Sequence, residues 1–154
     1  MEQELEAAYR RDFHRFLRVA EAICGDVEAA RDAVQDAFAG ALRSSAGFRR
    51  ESSLETWLWA AVVNAARSAR RRRRGHDPLD ELADLRAAAP PERSTLPAAL
   101  AALPERQRLV LFLRYYADLD YAAIAETLGI STGTVGATLN HAHAALRRRL
   151  QEVQ

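Results

Sequence analysis

Apolar positions recur along this chain at intervals of three and four, the spacing that lines one face of a helix. Leu5, Ala8, Tyr9, Phe13, Phe16, Leu17 and Ala20 make the first such stripe. Gly25 interrupts it, and Asp26 is placed to cap the next helix. A second stripe runs through Ala30, Ala33, Val34, Ala37, Phe38, Ala41 and Leu42, up to a break at Gly47. A third covers Leu54, Trp57, Leu58, Ala61, Val62 and Ala65. Ser52 with Glu55 three residues on predicts a capping box and a helix start near Ser53. That helix ends in the cationic run Arg70–Arg74, which suits the negative end of a helix dipole, and Gly75 closes it.

The regime changes over residues 75–97, which hold four of the five prolines and a net acidic charge. This stretch reads as a linker with one short helical turn around Leu79 to Leu85. Helical spacing then returns. Pro104 suits the first turn of a helix through "ERQRLVLFLRYYA". Tyr121–Leu128 predicts a short helix, Gly129 and Ile130 a turn, and Ser131 the cap of a final helix. Val135, Leu139, Ala142, Leu146 and Leu150 give that helix its apolar stripe. No alternating stretch is long enough for a strand. The expected fold is all-α, two small helical domains joined by an acidic, Pro-containing linker.

Composition narrows the function. The chain has 154 residues, 49% of them hydrophobic, so it can bury a core. A net charge of +1 gives no hint of a polyanion partner, but the distribution does. Residues 1–74 carry 14 Arg against 11 acids, residues 75–95 carry 2 against 5, and residues 96–154 carry 6 against 5. Every cation is Arg, the side chain that makes bidentate contacts with phosphate. A GC-rich genome gives the same bias. Cys24 is the only cysteine, so it has neither a disulfide partner nor a thiol partner for zinc, as suits a reducing cytosol. No stretch reaches the roughly 18 apolar residues of a membrane span, and the start lacks a signal-peptide pattern. A cytoplasmic protein without membrane insertion is expected.

Three segments carry candidate chemistry. In "YAAIAETLGISTGTVGATL", Ala125 is small where two helices cross, Gly129 permits the turn, and Val135 and Leu139 pin the second helix on the first. This is helix-turn-helix spacing, although a helical hairpin with a structural role has it too. Ser131, Thr132, Thr134, Thr138, Asn140 and His141 are the groups it offers to base edges or phosphates. No Arg appears on that helix before Arg147, so its electrostatic attraction to DNA is weak. The second segment joins Trp57 and Trp59 to Arg67 and Arg70–Arg74. Aromatics beside a basic helix suit nucleic acid with unstacked bases, with Trp57 as core and a solvated helix end as the plainer reading. The third, "RDAVQDAFAGAL", sets Asp32, Gln35 and Asp36 off the apolar stripe, as a solvated face or a protein-docking surface. Nothing resembles a catalytic centre. His14, His76, His141 and His143 are scattered, and no phosphate loop, nucleophile motif or zinc spacing is present. No cofactor is expected.

Taken in order, these segments resemble the small two-domain sigma factors of the extracytoplasmic-function class in the sigma-70 family. "ARDAVQDAFAGAL" resembles the helix that docks on the clamp coiled coil of the RNA polymerase β′ subunit, which points to Asp32, Gln35, Asp36 and Phe38. "FRRESSLETWLWAAVVNAARSARRRRR" resembles the −10 recognition and melting segment. The resemblance implies −10 contacts at Phe48, Arg49, Arg50, Glu51, Ser52, Ser53, Trp57, Asn64, Arg67, Arg70 and Arg71, with the loop Phe48–Ser53 forming a base pocket. "ALAALPERQRLVLFLRYYADLDYAAIAETLGISTGTVGATLNHAHAALRRRL" resembles the −35 reading domain, with Ser131, Thr132, Thr134, Val135, Thr138 and His141 as contacts. The implied units are a sigma domain 2-like bundle over 1–74, a linker over 75–97 and a sigma domain 4-like unit over 98–154. The implied partners are core RNA polymerase, through its β′ clamp and β flap, promoter DNA, and an anti-sigma factor. Two departures stand out. Gly136, Thr138, His141 and His143 occupy places where the family carries basic residues, and Ala60 and Val63 replace arginines of the melting helix. A stand-alone helix-turn-helix regulator and a sigma-like interaction module without initiation activity are the alternative readings.

Overall fold

A computed structural model describes residues 1–48, 53–74 and 96–151. Among the described residues seven α-helices succeed one another and no strand occurs. The first half is a three-helix bundle of α1 (Glu2–Cys24), α2 (Val27–Arg43) and α3 (Leu54–Arg74). α1 stops at Gly25, whose left-handed backbone (φ 75°) returns its N–H to the Glu21 carbonyl. Only glycine takes up that conformation without a Cβ penalty. Asp26 then accepts from the Ala29 N–H at 3.0 Å and starts α2, as its spacing predicted. Phe16 sits at the centre of the bundle. Its ring centroid lies 4.4 Å from Trp59 and 5.4 Å from Phe38, the latter edge-on.

α3 forms where the third stripe predicted it, but rotated. Its buried residues are Thr56, Leu58, Trp59, Val62, Val63 and Ala66, whereas Leu54, Trp57, Ala61 and Ala65 are only half-buried. The larger apolar volume lies on the Trp59 side, and the bundle takes it. Val63, fully buried, is therefore core, not a DNA-facing place that has lost an arginine. The cap also differs from the expected Ser52–Glu55 box. Ser53 Oγ accepts from the Thr56 N–H at 3.1 Å and donates to Thr56 Oγ1. Ser52 lies outside the described residues, as does the short turn expected at Leu79 to Leu85. Leu42, expected in the core stripe of α2, is 48% exposed.

The second half comprises α4 (Leu96–Ala101), α5 (Glu105–Tyr115), α6 (Tyr121–Leu128) and α7 (Thr132–Gln151). α4 begins inside the stretch assigned to the linker. Pro104 is the N-cap of α5 and not a residue of its first turn, and α5 ends two residues before Ala117. Asp118 (φ 57°) takes the left-handed turn there, which Asp tolerates better than most residues. Asp120 caps α6 through the Ala123 N–H at 2.8 Å. Gly129 (φ 68°) ends it, and Ser131 caps α7 through the Thr134 N–H at 3.0 Å. The helix-turn-helix is therefore formed as its local signals specify, with Ile124, Val135, Leu139 and Ala142 buried between the helices.

The halves do not stand apart. α3 packs on α6 and α1 on α5, so that one apolar core runs through both. Polar contacts join them as well. Arg15 donates from Nε to the Tyr116 carbonyl at 3.0 Å and from Nη2 to the Ala117 carbonyl.

Candidate nucleic-acid and polymerase interface

The first candidate surface is the outer face of α3. Trp57, Asn64 and Arg71 are seven residues apart, about two helical turns, and so share one face. Asn64 and Arg71 are exposed, while Trp57 is half-buried beneath Phe48 with ring centroids 4.9 Å apart. Trp59 is fully buried in the core, while Trp57 packs against the core with part of its ring exposed. Ser53 is exposed at the start of the helix. A cavity of about 330 Å³ opens beside it between α1 and α3, lined by Glu4, Arg11, Asp12, Phe48, Ser53 and Glu55 among others. Arg49, Arg50, Glu51 and Ser52 lie outside the described residues.

The arginines of α3 divide by partner. Arg73 donates to the Cys24 carbonyl at 3.2 Å and ties α3 to the end of α1. Among the described residues Arg71 donates to Ser68 Oγ, at 3.3 Å. Arg67 and Arg70 turn to the other half, where Glu105 lies 3.6 Å from Arg67 Nε and 3.0 Å from Arg70 Nη1. Nothing in the pattern of the helices foretold that pairing. The Cys24 thiol donates to the Ala66 carbonyl, and burial raises its pKa above the ordinary value, with Arg73 acting in the opposite sense.

The second candidate surface is the start of α7. Ser131, Thr132 and His141 are exposed and Thr134 is half-buried. Ser131 and Thr134 are bonded to each other at 2.8 Å, which commits part of their hydrogen-bonding capacity to the cap. Two expected contacts are corrected. Val135 is fully buried, because it pins α7 on α6. Thr138 is 9% exposed and its hydroxyl donates to the Thr134 carbonyl at 2.7 Å, so neither side chain is free for a base edge. The sequence pattern did not single out Tyr121. It is exposed at the start of α6, and its ring lies against Gly136, where an added Cβ would meet it at 3.6 Å. His143 is held by Tyr115, its Nε2 3.0 Å from the phenolic oxygen.

The third surface is on α2. Asp32, Gln35 and Asp36 are exposed and share one face. Phe38 does not join them. It is 7% exposed and packs between Tyr9 and Phe16, so its expected docking role gives way to a core one. Exposed Leu42 lies seven residues after Gln35 and supplies the apolar element of that face. No group of His, Cys, Asp and Glu among the described residues could hold a metal.

Known proteins with this arrangement are sigma factors. The family model for sigma-70 region 2 matches residues 8–76, and that for sigma-70 region 4 matches residues 93–146. The extracytoplasmic-function sigma factor SigM of Mycobacterium tuberculosis is 32% identical over 151 residues, covering 96% of this chain and 76% of its own. The sigma factor YlaC of Bacillus subtilis is 29% identical, covering 95% and 91%. Among solved structures, RpoE of Bartonella quintana, in complex with the anti-sigma factor NepR, superposes with a TM-score of 0.74 at 20% identity, over 97% of this chain and 98% of its own. CnrH, in complex with the cytosolic domain of CnrY, gives 0.72 at 24%, over 100% and 92%. This chain belongs to the sigma-70 family of RNA polymerase sigma factors, within the extracytoplasmic-function group. Its function is that of the family: a promoter-specificity subunit for transcription initiation by bacterial RNA polymerase.

Proposed function

We propose that residues 1–74 capture the −10 element and the polymerase clamp, and that residues 98–154 read the −35 element, with 75–97 as the connection. The observation that carries this reading is the outer face of α3. Trp57, exposed Asn64 and exposed Arg71 succeed one another along it, and Phe48, tilted against Trp57, also lines a cavity at the start of the helix. Such a face suits a strand whose bases are unstacked: aromatics take bases, and guanidinium groups track phosphates. Asn64, Arg67, Arg70 and Arg71 line the strand, while Phe48 and Ser53 wall the base pocket. Asp32, Gln35 and Asp36 dock on the β′ clamp, and the second half sits on the β flap. Ser131, Thr132, Thr134 and His141 read the −35 element through polar contacts.

The chain performs no chemistry itself; the polymerase makes the phosphodiester bonds. No helix among the described residues is long and apolar enough to cross a membrane. The proposed place of action is beside polymerase in the cytoplasm. The solved structures with an anti-sigma factor support a similar protein inhibitor here. The test is to mix purified protein with core RNA polymerase and genomic fragments, then sequence the run-off transcripts. Discrete starts that share motifs near −35 and −10 are expected. Polymerase binding without transcripts would instead favour the sigma-like interaction module.

A further inference from the structure

The outward ridge of α7 carries a single functional group. Val135, Leu139 and Ala142 are buried, and by helical spacing Gly133, Ala137, Asn140 and Ala144 stand on the opposite side of the helix. Gly133, Ala137 and Asn140 are exposed and Ala144 is half-buried. Three of the four have at most a methyl group, so any polar side-chain chemistry on this ridge belongs to Asn140. Its amide has no hydrogen-bond partner among the described residues. Polar groups beside it are committed elsewhere: Thr138 donates to the Thr134 carbonyl, and Tyr115 engages His143 Nε2 at 3.0 Å. The space before the ridge is open, since a Cβ added at Gly133 would meet nothing closer than Ser131 Oγ at 3.8 Å. Small residues let a helix lie deep in a major groove, where Asn140 is then the side chain that reaches a base edge. An amide sets a donor and an acceptor side by side. Adenine presents the matching pair there, its N6 amino group and N7. A phosphate offers acceptors only and would use half of the amide.

We propose that Asn140 is the specificity-determining residue of α7 and selects adenine at one position of the −35 element through two hydrogen bonds. Gly133 and Ala137 admit the close approach that this contact needs. The inference rests on the −35 assignment of α7 given above and adds to it a residue well beyond the helix cap.

Holoenzyme reconstituted from core polymerase and the full chain is given a promoter it selects, with the −35 element randomised and each copy barcoded in its transcribed region. The barcodes in the transcripts are then counted. The wild type should favour adenine at one position about tenfold over other bases, the scale of one bidentate base contact. Asn140→Ala should lose that preference and keep the others. Asn140→Arg should exchange it for guanine, whose O6 and N7 are both acceptors. Gly133→Gln, which leaves Asn140 in place, should blunt it by holding α7 off the groove floor. Circular dichroism checks that each variant is folded. An adenine preference that Asn140→Ala leaves unchanged would overturn the proposal. So would an equal loss from every −35 sequence, the mark of a backbone contact. Either result leaves the −35 assignment of α7 standing. Transcription indifferent to the −35 sequence in the wild type would overturn that assignment and the proposal together.

Discussion

α3 and α7 are the two long helices assigned to DNA, and they are built on opposite principles. α3 ends in charge: Arg67 and the run from Arg70 to Arg74. α7 begins with hydroxyls and glycines and has no cation until Arg147. Each also spends part of its polar surface inside the protein. α3 gives Arg73 to the Cys24 carbonyl and Arg67 and Arg70 to Glu105, while α7 gives Ser131 and Thr134 to its own cap and Thr138 to its backbone. What remains free differs in kind. α3 keeps a long-range attraction for phosphate; α7 keeps short-range groups that act only once DNA is already in place. The difference suits a two-point reader in which one half and the polymerase supply affinity and tethering raises the effective concentration of the other.

Substitutions can separate the roles of the two helices. The largest effect is expected from Trp59→Ala, which empties the centre of the first bundle and should cost about 3–5 kcal/mol in urea unfolding. Trp57→Ala should cost less stability than Trp59→Ala, since its ring is only half-buried, and should weaken oligonucleotide binding as well, which separates the two tryptophans. Gly129→Ala places a Cβ on a left-handed residue in the turn of the second half (φ 68°), for an expected loss of about 1–2 kcal/mol. Its thermal unfolding should move while the DNA affinity of the first half does not. Arg71→Ala removes one free phosphate partner from α3. The slope of log K against log salt for single strands should fall by about 0.7, measured by anisotropy. Thr132→Ala on α7 should leave that slope unchanged and alter only the preference among −35 sequences. The smallest effect concerns Cys24. Burial raises its pKa from 9.0, so the folded state keeps the proton after the unfolded state has lost it. Its contribution to stability is complete below pH 9.0 and declines as pH rises above it. Comparing urea midpoints of wild type and Cys24→Ala from about pH 8 to 10 checks the sign.

Much of the fold was legible because its signals are local. Gly25, Asp26, Gly129 and Ser131 act on neighbours within four residues, and each does what its position foretold. The rotation of α3 was not legible. Apolar residues stand on both sides of that helix, and only α1 and α2 decide whether Trp57 or Trp59 faces inward. Val135 and Phe38 had two roles open to them, core and contact, and burial settles both as core. Asp32, Gln35 and Asp36 stood out in the sequence because they depart from an apolar stripe, while exposed Leu42 did not because it continues one. The Glu105 contacts join residues separated by the acidic stretch, and no periodicity can report such a pair. The contact of Tyr121 with Gly136 was not legible either, because it joins two helices across the turn.

If α3 and α7 differ as described, the two halves read DNA unequally. The most direct measurement is run-off transcription by the reconstituted holoenzyme from a promoter it selects, with the −10 or the −35 element scrambled in turn. Unequal reading predicts that scrambling −10 abolishes the transcript, whereas scrambling −35 reduces it. Equal loss from both, or a greater loss from −35, would contradict it.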